Sequence, residues 1–141
     1  MRYLNKIVFI NSAAIRYSEV QLDGNIHLIG TQGVGKSTIL RAILFFYNAD
    51  KLRLGIPKEK RSYDEFYLPY ANSFIVYEVM RENGPYCVMA FKQQGRVAYR
   101  FIDAPYQSSW FVNERREVRA DWISIRKAIG TETQSSRIVV S

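Results

Sequence analysis

Apolar and polar positions alternate with period two over several short stretches of the chain, and two longer stretches switch to helical period. "YLNKIVFIN" (3–11) carries its apolar residues at Leu4, Ile7 and Phe9 and reads as a strand. "AIRYSEVQL" (14–22) alternates through Ile15, Tyr17, Val20 and Leu22, with Ser18 the place where the alternation could slip, and Asp23-Gly24 forms a hairpin-type turn. "NIHLIG" (25–30) is a short apolar strand that runs into a glycine-rich loop. "KSTILRAILFFYN" (36–48) then predicts a helix, largely buried because Ile39, Leu40, Ile43, Leu44 and Tyr47 cover a broad face, with Asn48 as its stop.

Residues 49–72 break the pattern. Gly55, Pro57, Pro69 and five basic residues between 51 and 61 predict a long, partly mobile loop. Three strands follow: "SFIVYEVMR" (73–81), a turn at Asn83-Gly84, "PYCVMAFK" (85–92), a turn at Gln94-Gly95, and "RVAYRFID" (96–103). The last sets Val97, Tyr99 and Phe101 against Arg96, Ala98 and Arg100, which predicts an antiparallel meander with one solvated face over 73–103. "FVNERREVRADWISIRKAIG" (111–130) has Val118, Trp122, Ile125 and Ile129 at helical spacing, stopped by Gly130, with Asp121 as an alternative start. "SSRIVVS" (135–141) begins another strand.

Composition narrows the class. With 141 residues, 48% hydrophobic and 14% aromatic, the chain suits one packed domain. No apolar run approaches the length of a membrane span, and the N-terminus lacks a signal-peptide cleavage site. Cys87 is the only cysteine; its flanks, "YCVMAF", predict a core thiol, and a reducing cytoplasm is the expected compartment. His27 is also alone, so a metal site built on it has no partners. The net charge of +7 permits contact with a polyanion.

The chemistry lies in "GTQGVGKST" (30–38), in which Gly30, four intervening residues, Gly35, Lys36 and Ser37 match the phosphate-binding P-loop pattern in full. Gly30, Gly33 and Gly35 let the backbone wrap around phosphate without Cβ clashes. The amides from Gly33 through Val34 to Thr38 then point inward as anion donors, and the following helix adds its positive end. Lys36 reaches the β- and γ-phosphates, the Ser37 hydroxyl ligates Mg²⁺, and Thr38 is placed for the α-phosphate. The expected cofactors are therefore ATP and Mg²⁺.

The order of elements bears on the family. Two strands precede the loop's own strand, and an antiparallel meander follows its helix. In "LNKIVFINSAAIRYSEVQLDGNIHLIGTQGVGKSTILRAILFFY" (4–47) the chain resembles the N-terminal half of an ABC-type ATPase head of the structural maintenance of chromosomes (SMC) superfamily. "FYLPYANSFIVYEV" (66–79) is similar to the lead-in to the meander in the bacterial MukB- and Wadjet-type members. These heads commonly carry Asn two positions after the first loop glycine, where this chain has Gln32, which keeps a side-chain amide. The resemblance implies an α/β fold: a P-loop NTPase (ABC/SMC head-like) half-domain with an antiparallel β-meander subdomain. It implies a single N-terminal ATP-binding lobe over 1–141, truncated from a longer chain, with strands, P-loop and first helix at 1–48 and the basic loop at 49–72.

Hydrolysis by such a head needs an acid at the end of an apolar strand to hold Mg²⁺, an adjacent Glu to activate water, and a signature segment. "FIVYE" (74–78) ends in Glu78 with Tyr77 where the metal-binding Asp belongs, and "YRFID" (99–103) ends in Asp103 after Arg100 interrupts the apolar run. On strands with one solvated face both read as surface or turn residues, so no catalytic residue is assigned. No "SGG" signature occurs. The resemblance places the missing parts in a C-terminal half-head of the same protein, with ATP sandwiched against a second head in a homodimer.

Among the basic residues, Lys51, Arg53, Lys58, Lys60 and Arg61 precede the meander, and Arg115, Arg116, Arg119, Arg126 and Lys127 sit near the last helix. Related heads often carry an arginine in the first position that meets the nucleotide; Arg53 and Arg61 are the candidates, with Lys58 and Lys60 as further candidates for phosphate or DNA contact. DNA is a candidate partner of either group, and a solvated surface explains either equally. The expected function is an ATP-binding lobe of an SMC-like ATPase acting on DNA, in chromosome organisation, repair or plasmid defence, which binds ATP without hydrolysing it alone. The alternatives are an autonomous P-loop kinase or GTPase using Asp103 as metal ligand, and a non-enzymatic nucleotide-binding module.

Overall fold

The computed structural model describes residues 2–12, 15–22, 38–43, 46, 68, 70, 72–93, 96–119, 121–130 and 135–138. Six strands form one sheet in the order β2-β1-β3-β4-β5-β6: β1 Tyr3–Ser12, β2 Ile15–Gln21, β3 Phe74–Met80, β4 Tyr86–Gln93, β5 Arg96–Ile102 and β6 Ser135–Ile138. Among the described residues every strand pairing is antiparallel.

This corrects the α/β P-loop NTPase assignment. The described residues hold no parallel pair and no β-α-β unit, and their helix is confined to 38–43 with residue 46, a 3-10 turn at Ser108–Trp110, and α1 at Trp122–Ile129. Nor is the meander a separate subdomain. β1 pairs with β3 from Tyr3↔Met80 to Ile10↔Phe74, so the N-terminal hairpin and the meander are one sheet. A phosphate-loop motif carries no information on how the strands outside it pair, and strands joined by tight turns can pair only antiparallel. Between β3 and β4 that turn needs Gly84, at φ 110°, a region L-residues avoid.

The strand bounds follow the hydrophobic pattern. Leu4, Ile7 and Phe9 share a face although four and seven differ in parity, because a bulge between Leu4 and Lys6 inserts the extra residue. No slip occurs near Ser18: the β1–β2 register is unbroken from Lys6↔Gln21 to Ile10↔Tyr17, and Tyr17 and Val20 simply face opposite sides. The turns expected at Asp23-Gly24 and Gln94-Gly95 and the strand at 25–30 lie outside the described residues.

Both faces of the sheet are covered, where one solvated face was expected. On the first face Ile7, Phe9, Val20, Ile75, Tyr77, Ala90 and Tyr99 pack with Ile39, Ala42 and Leu68. On the second, Val8, Ile10, Phe74, Val76, Met89 and Ile102 pack under Tyr106, Trp110, Phe111, Ile125 and Ile129. β3 reads as a continuous apolar run for this reason: six of its seven residues are buried. Asn11, at φ 48°, closes β1 against the start of β3. Its Nδ2 donates to Asn72 O (3.1 Å), and its own carbonyl accepts from Ser73 Oγ (2.6 Å).

α1 begins at Asp121, whose carboxylate caps Ser124 N (3.0 Å), and ends at Gly130, at φ 84°. Residues 111–119 are therefore not helical. Val112 bridges Val118 across a turn in which Asn113 Oδ1 accepts from Arg115 N and Glu117 N. Trp122 lies on Phe91 (5.2 Å between centroids) and Phe74 (6.1 Å), and the Arg100 guanidinium lies over its ring (5.2 Å).

Candidate nucleotide site

Of the residues expected to form a phosphate loop, Gly30, Gly33, Val34, Gly35, Lys36 and Ser37 lie outside the described residues, as do Arg53, Lys58, Lys60 and Arg61. Thr38 is described and opens the helical residues 38–43. The seating of those residues is well defined. Ile39 and Ala42 are fully buried on the first face of the sheet, with Ile43 and Phe46 packed beside them, while Leu40 and Arg41 face outward. The apolar spacing of 39, 42, 43 and 46 is the helical stripe expected of an element that lies on a sheet. Leu40 falls off it, although the sequence reading put it on the buried face.

The seat has a polar contact as well. The hydroxyl of Tyr77, from the middle of β3, donates to the carbonyl of Ala42 (2.9 Å), and its ring lies 4.6 Å from that of Phe46. Tyr77 stands where a metal-binding aspartate was sought. Its hydroxyl is engaged with the helical segment that follows the glycine-rich motif.

Glu78, next along the strand, points to the other face. It is buried rather than at the surface, which corrects the reading of this residue. Its two oxygens are separately engaged: Oε1 accepts from Asn5 Nδ2 (2.8 Å) and Oε2 from the backbone N–H of Tyr106 (2.8 Å). Gln21 completes the set by donating to Asn5 Oδ1 (2.8 Å). The carboxylate thus ties β1, β2 and β3 to the segment that covers the second face. Asp103 stands just past β5, half exposed and ion-paired to Arg81, which also donates to Gly84 O (2.9 Å) and lies over the Tyr86 ring (4.8 Å). It pins a hairpin end. Among the described residues no cluster of His, Cys, Asp or Glu is arranged to hold a metal ion.

Cys87 is buried beneath Ala104, whose carbonyl accepts from its thiol (3.4 Å), and burial pushes the thiol far above its ordinary pKa. The core-thiol reading of this residue holds. The sequence reading missed a tyrosine pair beside it: the Tyr17 and Tyr106 hydroxyls meet at 2.7 Å, and Tyr17 donates onward to Glu19 Oε2 (2.7 Å). Burial raises both phenols, so both stay protonated at neutral pH. The available signal was the aromatic density of "APYQSSWF" directly after a strand. An open cleft of about 560 Å³ next to this pair, lined by Tyr17, Ser108, Val112, Asn113 and Arg116, lies on the second face of the sheet, away from Ile39 and Ala42.

Among the described residues no helix is long and apolar enough to cross a membrane. Comparison with curated proteins and with solved structures returns no match. A family model described as "Protein of unknown function (DUF3584)" matches residues 11–129, most of the chain. The match runs from the last two residues of β1 to the end of α1 and includes the phosphate-loop motif, the helical seat and Tyr77; the family is of the MukB/RecF/SMC-like type in bacteria, and the chain belongs to it.

Proposed function

We propose that this chain is the ATP-binding lobe of an SMC-like ATPase acting on DNA, of the MukB or Wadjet type. It binds ATP·Mg²⁺ through Gly30–Thr38, with Lys36 on the β- and γ-phosphates and Ser37 on the metal, in a cytoplasmic setting. The observation that carries this reading is the complete motif placed directly before a helix that is seated on a sheet by packing and by a hydrogen bond. A glycine-rich turn met by chance has no need of such a seat. Membership of a family of SMC-like type supports the same reading.

Hydrolysis is proposed to need a C-terminal half-head and a second head. Glu78 has both oxygens committed to the fold, so it is not free to activate water. Asp103 is held by Arg81, which argues against the rival kinase or GTPase in which it ligates the metal. Two assays test the proposal. ATP·Mg²⁺ at about a hundred times its Kd should raise stability by about 2.7 kcal/mol in a thermal-shift assay. The same preparation should release no phosphate above background. An unchanged melting temperature across a wide ATP range contradicts binding, and steady turnover lost in Lys36→Ala contradicts the need for a partner.

A further inference from the structure

We infer that Tyr77 is a positioning residue for the phosphate loop: its hydroxyl bond to the Ala42 carbonyl fixes the axial position and rotation of the helix on which the loop's amides depend. The inference rests on the nucleotide-binding reading above and adds a residue that lies far from the motif in sequence.

Apolar packing alone does not set the position of a helix on a sheet with the accuracy a phosphate site needs. Ile39, Ala42, Ile43 and Phe46 hold the helix against the first face, but the hydrophobic effect is non-directional, and small slides or rotations leave it almost unchanged. A hydrogen bond is directional and weakens steeply when misaligned. Tyr77 is well placed to supply one. It is fully buried in a strand paired on both sides, to β1 and to β4, so its own position is fixed by the sheet. Ala42 is one helical turn beyond Thr38, about 6 Å along the axis, so a shift at Ala42 passes almost undiminished to the helix start. The Phe46 ring against the Tyr77 ring adds a second contact that limits rotation. A misplacement of about 1 Å is enough to degrade a site made of several converging donors.

Tyr77→Phe is the test. It keeps the ring, its burial and the Phe46 contact, and deletes only the hydroxyl. Calorimetric titration of the folded variant, well below its melting temperature, should show ATP·Mg²⁺ affinity reduced by about three- to tenfold. Tyr17→Phe removes a comparable hydroxyl bond on the opposite face and should leave the affinity unchanged. That contrast separates a positioning role from a general loss of stability, which both substitutions produce. Linkage supplies a measurement on the wild-type chain that needs no variant: if the contact favours nucleotide binding, nucleotide must favour the contact. Hydrogen exchange over 39–46 and 74–80 should then slow when ATP·Mg²⁺ is added. Equal affinities for wild type and Tyr77→Phe, or exchange over both segments unaffected by nucleotide, overturn the inference while leaving nucleotide binding intact. A wild-type chain that binds no ATP overturns the nucleotide reading and the inference with it.

Discussion

Tyr77 and Glu78 are consecutive residues of β3 that serve opposite sides of the sheet, one bonding the helical segment at Ala42 and the other holding the cover of the second face. The strand's period of two assigns them to different faces with no further information. It does not say what they meet there. Glu78 after four apolar residues looked like the polar end of a strand, because a single acid in a sequence carries no sign of its hydrogen-bond partners. Those come from Asn5 and Tyr106, 73 and 28 residues away. Its commitment has a measurable cost. Glu78→Ala leaves the Asn5 amide and the Tyr106 N–H without an acceptor in a buried place, and should destabilise the fold by about 2–4 kcal/mol in urea unfolding. A loss under 1 kcal/mol, the range typical of a surface site, would contradict the role given to this carboxylate.

Element positions were the most legible feature of the chain. β3, β4 and β5 fall within a residue or two of their expected bounds, and α1 starts and stops where Asp121 and Gly130 signal. Caps and turn glycines act locally, so a local pattern reveals them. The bulge in β1 was less legible; Leu4 and Ile7 on one face required it, yet an odd spacing is also what a strand with one misplaced apolar residue shows. The cap of α1 makes a prediction about pH. Ser124's backbone bond holds the Asp121 carboxyl below the usual carboxylate range. Because the folded-state pKa is depressed, the contribution is present above the unfolded value, about 3.9, and is lost as pH falls through the folded one. Asp121→Asn keeps a capping side chain without the titration. Its melting temperature should decline less than that of wild type between about pH 4 and pH 2. Parallel declines would remove the ionised cap from the account.

The whole-molecule picture was the least legible. Pairing of β1 with β3 joins segments more than 60 residues apart, and the motif between them suggested an α/β architecture that the antiparallel sheet replaces. What did carry through was a helical segment after the motif with Ile39 and Ile43 on its packed side, because an amphipathic helix must find a face to cover; Leu40, expected there too, is exposed. At this scale the basic loop offers its own test. If Lys58, Lys60 and Arg61 all meet DNA phosphates, replacing them together with Ala should flatten the slope of log K against log salt by about 2–3 units without weakening ATP binding. If Arg61 serves the nucleotide instead, ATP binding weakens and the DNA slope stays the same.

The central claim is that residues 30–38 hold a nucleotide, and calorimetric titration with ATP·Mg²⁺ of the wild-type chain beside Lys36→Ala tests it most directly. The account predicts saturable one-to-one binding by the wild type and the loss of most of that affinity in a Lys36→Ala variant whose circular dichroism is unchanged. Equal affinity in the two folded proteins, or no heat of binding in either, would contradict it.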